Sequence, residues 1–185
     1  EVMADYSDIA GYIVVASVAD EHGRLVLSTL PIPPGAGIAD LEHFRAHVER
    51  DTGDPYINKP VLGRISGKWS FHVTRRIHHA DGSFGGVAIV AVDFAYWSHL
   101  LQDGSISDGV GMALIGRDGV VRAAQDPAGA SGTLMKADWN FLLRRIEAGH
   151  AGGFADGVSG TWAYRSLPGY PLLVAVSVDG RELQR

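Results

Sequence analysis

The chain has 185 residues, 46% hydrophobic and 20% charged, enough apolar material for one globular domain or two small ones. A formal net charge of −5 excludes a global basic field that would draw it to nucleic acid or to an anionic bilayer. With no cysteine it has no disulfide, thiolate metal site or thiol nucleophile, although exported proteins need no disulfides and the compartment stays open.

No stretch approaches the roughly 20 consecutive apolar residues of a membrane span. The longest candidate, "GGVAIVAVDF", suits a buried strand. The chain opens on "EVMADYSD", without an initiator Met or a signal peptide, as expected of a piece excised from a longer protein.

In chain order, "GYIVVASVADEHGRLVLSTL" predicts a hairpin: Ile13, Val14, Val15 and Val18 make a β-branched run and "DEHG" supplies the turn. The proline-rich "PIPPGAGI" ends any regular element. Asp40 is a candidate N-cap for a helix over "LEHFRAHVER", with Leu41, Phe44 and Val48 on one face. After "DTGDP" come an extended piece, "YINKPVLGRI", a long strand, "KWSFHVTRRIHH", the turn "ADGSFG" and the strand "GVAIVAVD". Alternation sends Trp69, Phe71, Val73, Arg75 and Ile77 to one face of the long strand, and Ser70, His72, Thr74, Arg76 and His78 to the other. "FAYWSHLLQ" then has helix spacing.

The grammar repeats. "VGMALIGRDGVVRAA" is a second strand–turn–strand, "ADWNFLLRRIEAG" a second short helix with Asp138 as candidate N-cap, and "GTWAYRSLPGYPLLVAVSVD" a second terminal hairpin. Its "V-x-V-D" ending matches the "IVAVD" of the first unit. The pattern predicts an α+β fold of two tandem units, 1–103 and 104–185, each an antiparallel sheet flanked by helices.

Chemistry-bearing patterns are sparse. His43 and His47 have the i, i+4 spacing of a zinc pair, but "HFRAH" lacks the glutamate of "HExxH", and His47, His78 and His79 are expected at solvent. No serine sits in a nucleophile elbow, and no glycine-rich stretch has phosphate-loop spacing. No metal, cofactor or catalysis is therefore expected. Among the cations, Arg64, Lys68, Arg75 and Arg76 suit solvated strand edges, or a fork gripping an anionic ligand. Tyr56, Trp69, Phe71, Phe44, His43 and Trp97 are candidates for a pocket beside the sheet or for its core. Asp93, at the end of a buried strand, must cap the following helix or meet a cation.

The stretch "DLEHFRAHVER…YINKPVLGRISGKWSFHVTRRIHHADGSFGGVAIVAVDFAYW", within residues 38 to 101, resembles the double Cache (double PDC, PAS-like) extracytoplasmic sensor domains. These belong to bacterial transmembrane histidine kinases, diguanylate cyclases and chemoreceptors. The resemblance rests on a "D-R-x-x-F-x-x-H"-like helix, then "I-x-x-P-V-x-G-R-x-S-G-x-W", then "x-R-R-I-x-x-x-D-G-x-F-x-G-V" and a final Asp. The second unit fits on order rather than on motif.

The resemblance implies two PAS-like units, the first membrane-distal and ligand-binding, the second smaller and membrane-proximal. It implies a periplasmic sensor domain of a membrane-anchored parent, homodimeric in the full receptor, with a kinase or cyclase output. The ligand would be a small organic acid, amino acid or amine, held between the sheet and the layer carrying "DLEHFRAH" and "PYINKP". Amino-acid-binding members carry "R-x-W-Y" in that helix; here Leu41, His43 and Phe44 stand at the Arg, Trp and Tyr positions. Tyr56 and Asp93 match a pocket Tyr and the amine-binding Asp. Trp69, His72 and Arg75 or Arg76 are the strand candidates, with the expected burial of Trp69 and Phe71 favouring Arg75. The ligand set expected is thus His43, Tyr56, Trp69, His72, Arg75 and Asp93. The alternative is an interaction or dimerisation module of the same fold without a small ligand.

Overall fold

The computed structural model describes residues 11–93, 96, 110–125, 138–157 and 160–178, and the chain divides into two compact units, Glu1–Tyr96 and Trp97–Arg185. In the first unit the order is β1 (Ile13–Asp20), β2 (Leu25–Ser28), α1 (Glu42–Glu49), β3 (Tyr56–Ile57), β4 (Val61–Leu62), β5 (Trp69–His78) and β6 (Phe84–Asp93). The second unit has β7 (Val110–Gly116), β8 (Val121–Gln125), α2 (Asn140–Glu147), β9 (Gly152–Gly157), β10 (Gly160–Ser166) and β11 (Leu172–Val178). The helix predicted over "FAYWSHLLQ", and Trp97 within it, lie outside the described residues apart from Tyr96.

Both sheets are antiparallel and share one strand order. The first runs β2-β1-β6-β5-β3, with β4 also on β5, and the second runs β8-β7-β11-β10-β9. The last strand of each unit thus lies beside its first, so the predicted repeat is one topology used twice.

One face of the first sheet carries α1. Cross-strand register places Val15, Ala91 and His72 in one row of that face, and Ser17, Ile89, Thr74 and Tyr56 in the next. Ala19, Ile38, Phe44, Val87 and Ile89 form the apolar core beneath the helix, and the Phe44 ring meets Phe84 edge-on at 5.6 Å. The buried stripe of α1 is His43, Phe44 and His47, while Val48 is half exposed. The helix is therefore rotated from the predicted Leu41–Phe44–Val48 face. Two imidazoles take the inner positions because polar partners wait for them on the sheet.

The alternation of β5 holds, but its sides are exchanged relative to expectation. Ser70, His72 and Thr74 are buried on the α1 side, where the partly buried Arg76 also lies, whereas Trp69 is 59% exposed and Arg75 is exposed. Arg76 donates to the carbonyl of His47 and lies over the Phe84 ring. Phe71, on the opposite face, is buried all the same, so its apolar character did not report the helix side.

Asp40 does not cap α1. The N-cap is Leu41, without a side-chain bond, and Asp40 instead takes both Nη groups of Arg64 at 2.8 and 2.9 Å. Arg64 also donates to the Gly37 carbonyl at 2.8 Å, clasping 37–40 to 63–66. The guanidinium holds the Asp40 carboxyl down at about 2. Gly23, at φ +76°, turns β1 into β2, and a Cβ there would lie 2.7 Å from the Ala39 backbone. That close approach lets Ile38 N–H donate to the Gly23 carbonyl at 2.8 Å, seating Ile38 over the sheet.

In the second unit two indoles pack between helix and sheet. Trp139 and Trp162 meet edge-on at 5.0 Å within a core that includes Leu142, Ile115 and Leu173. Asp138 accepts from Asn140 N–H at 2.9 Å just before α2, whose N-cap is Trp139. No described helix is long and apolar enough to cross a membrane.

Candidate ligand-binding site

Between α1, the sheet and the 36–38 and 61–66 loops of the first unit lies a cavity of about 190 Å³. At about 30 Å³ per water this is room for roughly six, the size of a small metabolite. Most of its wall is aliphatic, from Val15, Leu25, Ile38, Leu41, Ile65 and Ile89. Three polar side chains converge there, His43 from α1, His72 from β5 and Asn58 just beyond β3, and Ser17, Glu42, Arg64 and Ser66 also line the wall. An apolar wall with a few convergent polar groups is the usual form of a small-molecule site.

Asn58 organises that convergence. Its Oδ1 accepts from His72 N–H at 2.5 Å, while its Nδ2 faces His72 Nδ1 at 3.1 Å and His43 Nδ1 at 3.4 Å. The two imidazoles stack with centroids 4.6 Å apart and 22° between planes. One helical turn on, His47 Nε2 meets Thr74 Oγ1 at 2.9 Å, and the Thr74 hydroxyl reaches the carbonyls of Tyr56 and His43. His47, expected at solvent, is thus buried and bonded. His78 and His79 are exposed, with His78 on Asp51 at 2.7 Å.

Burial governs these rings. It pushes His43 down to about 3, aided by the neighbouring His72, and His72 down to about 4. His47 is lowered by burial, against the opposing effect of its Thr74 bond. Desolvation disfavours the charged form, so both cavity rings are neutral at neutral pH. The charges near the opening are Arg64, paired with Asp40, and Glu42, whose carboxylate accepts the Tyr56 hydroxyl at 2.7 Å.

The structure therefore brings together His43 and His72 of the expected set on the cavity wall. Tyr56, Trp69, Arg75 and Asp93 are not on the cavity wall, Tyr56 lying instead against His47 with its hydroxyl on Glu42. Asp93 accepts from Tyr96 N–H at 3.3 Å, as a cap of the following segment would, and lies 3.8 Å from Lys68 Nζ. Asn58 was missed by sequence reasoning. Its signal was parity, since an amide two residues after Tyr56 must return to the same face of the strand. Among the described residues no group of three His, Cys, Asp or Glu side chains is placed to hold a metal ion.

No protein-family model and no curated protein matches the chain. Solved structures do. The extracellular domain of rpHK1S-Z16, assigned to a histidine kinase, superposes with a TM-score of 0.77 at 25% identity, over 96% of this chain and 75% of that one. The ligand-binding domain of the Pseudomonas fluorescens chemoreceptor CtaA, solved with L-leucine, gives 0.60 at 14% identity, over 94% and 73%. That of the Pseudomonas aeruginosa PAO1 amino-acid chemoreceptor PctB, solved with L-Arg, gives 0.61 at 13% identity, over 96% and 70%. These are sensor and ligand-binding domains, not enzyme domains. The chain has the double Cache, PAS-like architecture, the fold shared by these extracellular sensor and ligand-binding domains of a histidine kinase and of chemoreceptors.

Proposed function

We propose that the chain senses a small polar metabolite in the cavity of its first unit and passes the event on as a change of conformation. The observation that carries this reading is the asymmetry of the cavity, aliphatic on most sides and polar where His43, His72 and Asn58 converge. The first unit (1–103) is read as membrane-distal and the second (104–185) as membrane-proximal, in a membrane-anchored, homodimeric parent. The neighbouring chemoreceptor domains bind amino acids, which places amino acids among the ligands to test, with small organic acids and amines. Binding would favour one of two packings of α1 against the sheet, and the shift can be no larger than the ligand's difference in affinity between them.

A thermal-shift screen of those three classes tests the reading. One class is expected to raise Tm in the native chain, and Ile65→Trp, which plugs the cavity at its rim, is expected to abolish the rise. Failure of every class, or stabilisation that survives the plug, refutes it.

One observation favours the alternative of an interaction module. Leu62 and Trp69 are cross-strand partners at the sheet edge, 58% and 59% exposed, an apolar pair suited to a second copy. Sedimentation would decide: a dimer lost in Trp69→Ser, with no small molecule bound, supports that reading.

A further inference from the structure

We infer that Asn58 locks His43 and His72 as Nε2–H donors, and that this pair receives the acceptor head, a carboxylate or carbonyl, of a compact ligand with a short apolar body. The inference deepens the sensor reading above and rests on it.

The argument starts from a group with only one possible role. The backbone N–H of His72 can only donate, so the Asn58 atom 2.5 Å from it is the amide oxygen. The NH₂ group of Asn58 must then be the end that faces the two imidazoles. Its hydrogens also can only donate, so each Nδ1 is an acceptor and carries no proton. A neutral imidazole without a proton on Nδ1 has it on Nε2. The lock is tighter on His72, at 3.1 Å, than on His43, at 3.4 Å. Burial keeps both rings neutral rather than doubly protonated.

The freed donors have somewhere to point. His43 and His72 are only 3% and 8% exposed, yet neither Nε2 has a protein partner among the described residues. Neither imidazole Nε2 is among the fully buried side-chain polar atoms that lack a hydrogen-bond partner in the described residues, so neither is sealed. Both residues line the cavity, and we infer that their Nε2–H groups open onto it. With the rings stacked 4.6 Å apart, the two donors lie side by side, spaced for the two oxygens of a carboxylate or for one carbonyl. A metal fits poorly, because each ring would have to surrender its Nε2 proton and its bond to Asn58. An ammonium fits worse, since two N–H donors offer it nothing to donate to. Beyond the head, Val15, Ile38, Leu41 and Ile89 accept a short apolar body.

The test uses the whole chain with ¹⁵N-labelled histidine and three probes of equal length: propionate, propionamide and propylammonium. NMR correlations within each ring are expected to show His43 and His72 protonated on Nε2 at neutral pH. Propionate and propionamide are expected to shift those Nε2–H signals, and propylammonium to leave them in place. Asn58→Asp keeps the acceptor for His72 N–H but removes the amide donors, so the proton moves to Nδ1. Affinity for uncharged propionamide should then fall about tenfold, the weight of one lost hydrogen bond. Nδ1–H tautomers in the native chain, silence from all three probes, or an undiminished response in Asn58→Asp each overturn the inference. Shifts of cavity amides with propylammonium alone overturn it while leaving the sensor reading intact.

Discussion

Replacing Asn58 by Leu removes three hydrogen bonds where bulk water does not reach, leaving His72 N–H and two ring nitrogens without their partner. Each buried polar group so stranded costs about 1–3 kcal/mol, tempered where the cavity admits water. Asn58→Leu should therefore lose about 3 kcal/mol in urea unfolding, with an unchanged denaturant slope. The same site sets a pH dependence. His43 and His72 titrate at about 3 and about 4 in the fold, below the 6.5 of an exposed imidazole. Between those values the unfolded chain binds more protons, so stability is complete above about pH 6.5 and falls as pH drops toward 4. Each ring contributes a slope of at most about 1.4 kcal/mol per pH unit. Urea unfolding across that range should flatten in a His43→Phe, His72→Phe double variant; an unchanged profile would sink the assignment. The sequence made His43 and His72 visible as candidates, but not their partner. A neutral amide carries no motif; cross-strand register brought it against His72, 14 residues away, and the packing of α1 on the sheet brought it against His43, 15 residues away.

Helix α1 owes its place to packing rather than to its caps, since Leu41 offers no side-chain bond at its start. Phe44 is 4% exposed against Phe84, whereas Val48 is 51% exposed. Truncating Phe44 to Ala should cost about 3–5 kcal/mol, as buried aromatic deletions do, and Val48→Ala less than about 0.5. Thermal unfolding of the two variants checks the ordering; equal losses would put the helix back on the face that its apolar spacing suggested. That spacing misled because histidine counts as polar in a periodicity, although a bonded neutral imidazole buries well. The parity of β5 failed for a related reason, since Trp69 and Phe71 were taken to mark the inner face of a sheet that buries Phe71 on the other. Strand existence was legible wherever β-branched residues alternate, as in β1, β6 and β11. It was not legible in β9, "GGFADG", whose glycine-rich sequence becomes a strand only by pairing with β10 from Gly152 to Gly157.

At the scale of the molecule, one topology carries two different interiors. Counting back from the shared "V-x-V-D" endings, Ala91 corresponds to Ser177. Their cross-strand partners, His72 and Trp162, therefore correspond as well. The first unit keeps a ring with a free donor beside a cavity at this position, and the second plugs it with a fully buried indole against Trp139. A ligand bound in the first cavity should therefore protect only the first unit. At a concentration one hundred times its Kd, binding adds about 2.7 kcal/mol to that unit, slowing exchange of amides that open with it about a hundredfold. Hydrogen exchange should show this for amides of α1, β5 and β6, while those of β7, β10 and β11 keep their rates. If the second unit slows equally, the two open as a single cooperative body and the division of labour between cavity and indole core fails. If only α1 and the 61–66 loop slow, the ligand closes a local lid without holding the sheet. The hundredfold figure would then have to come from that local opening alone.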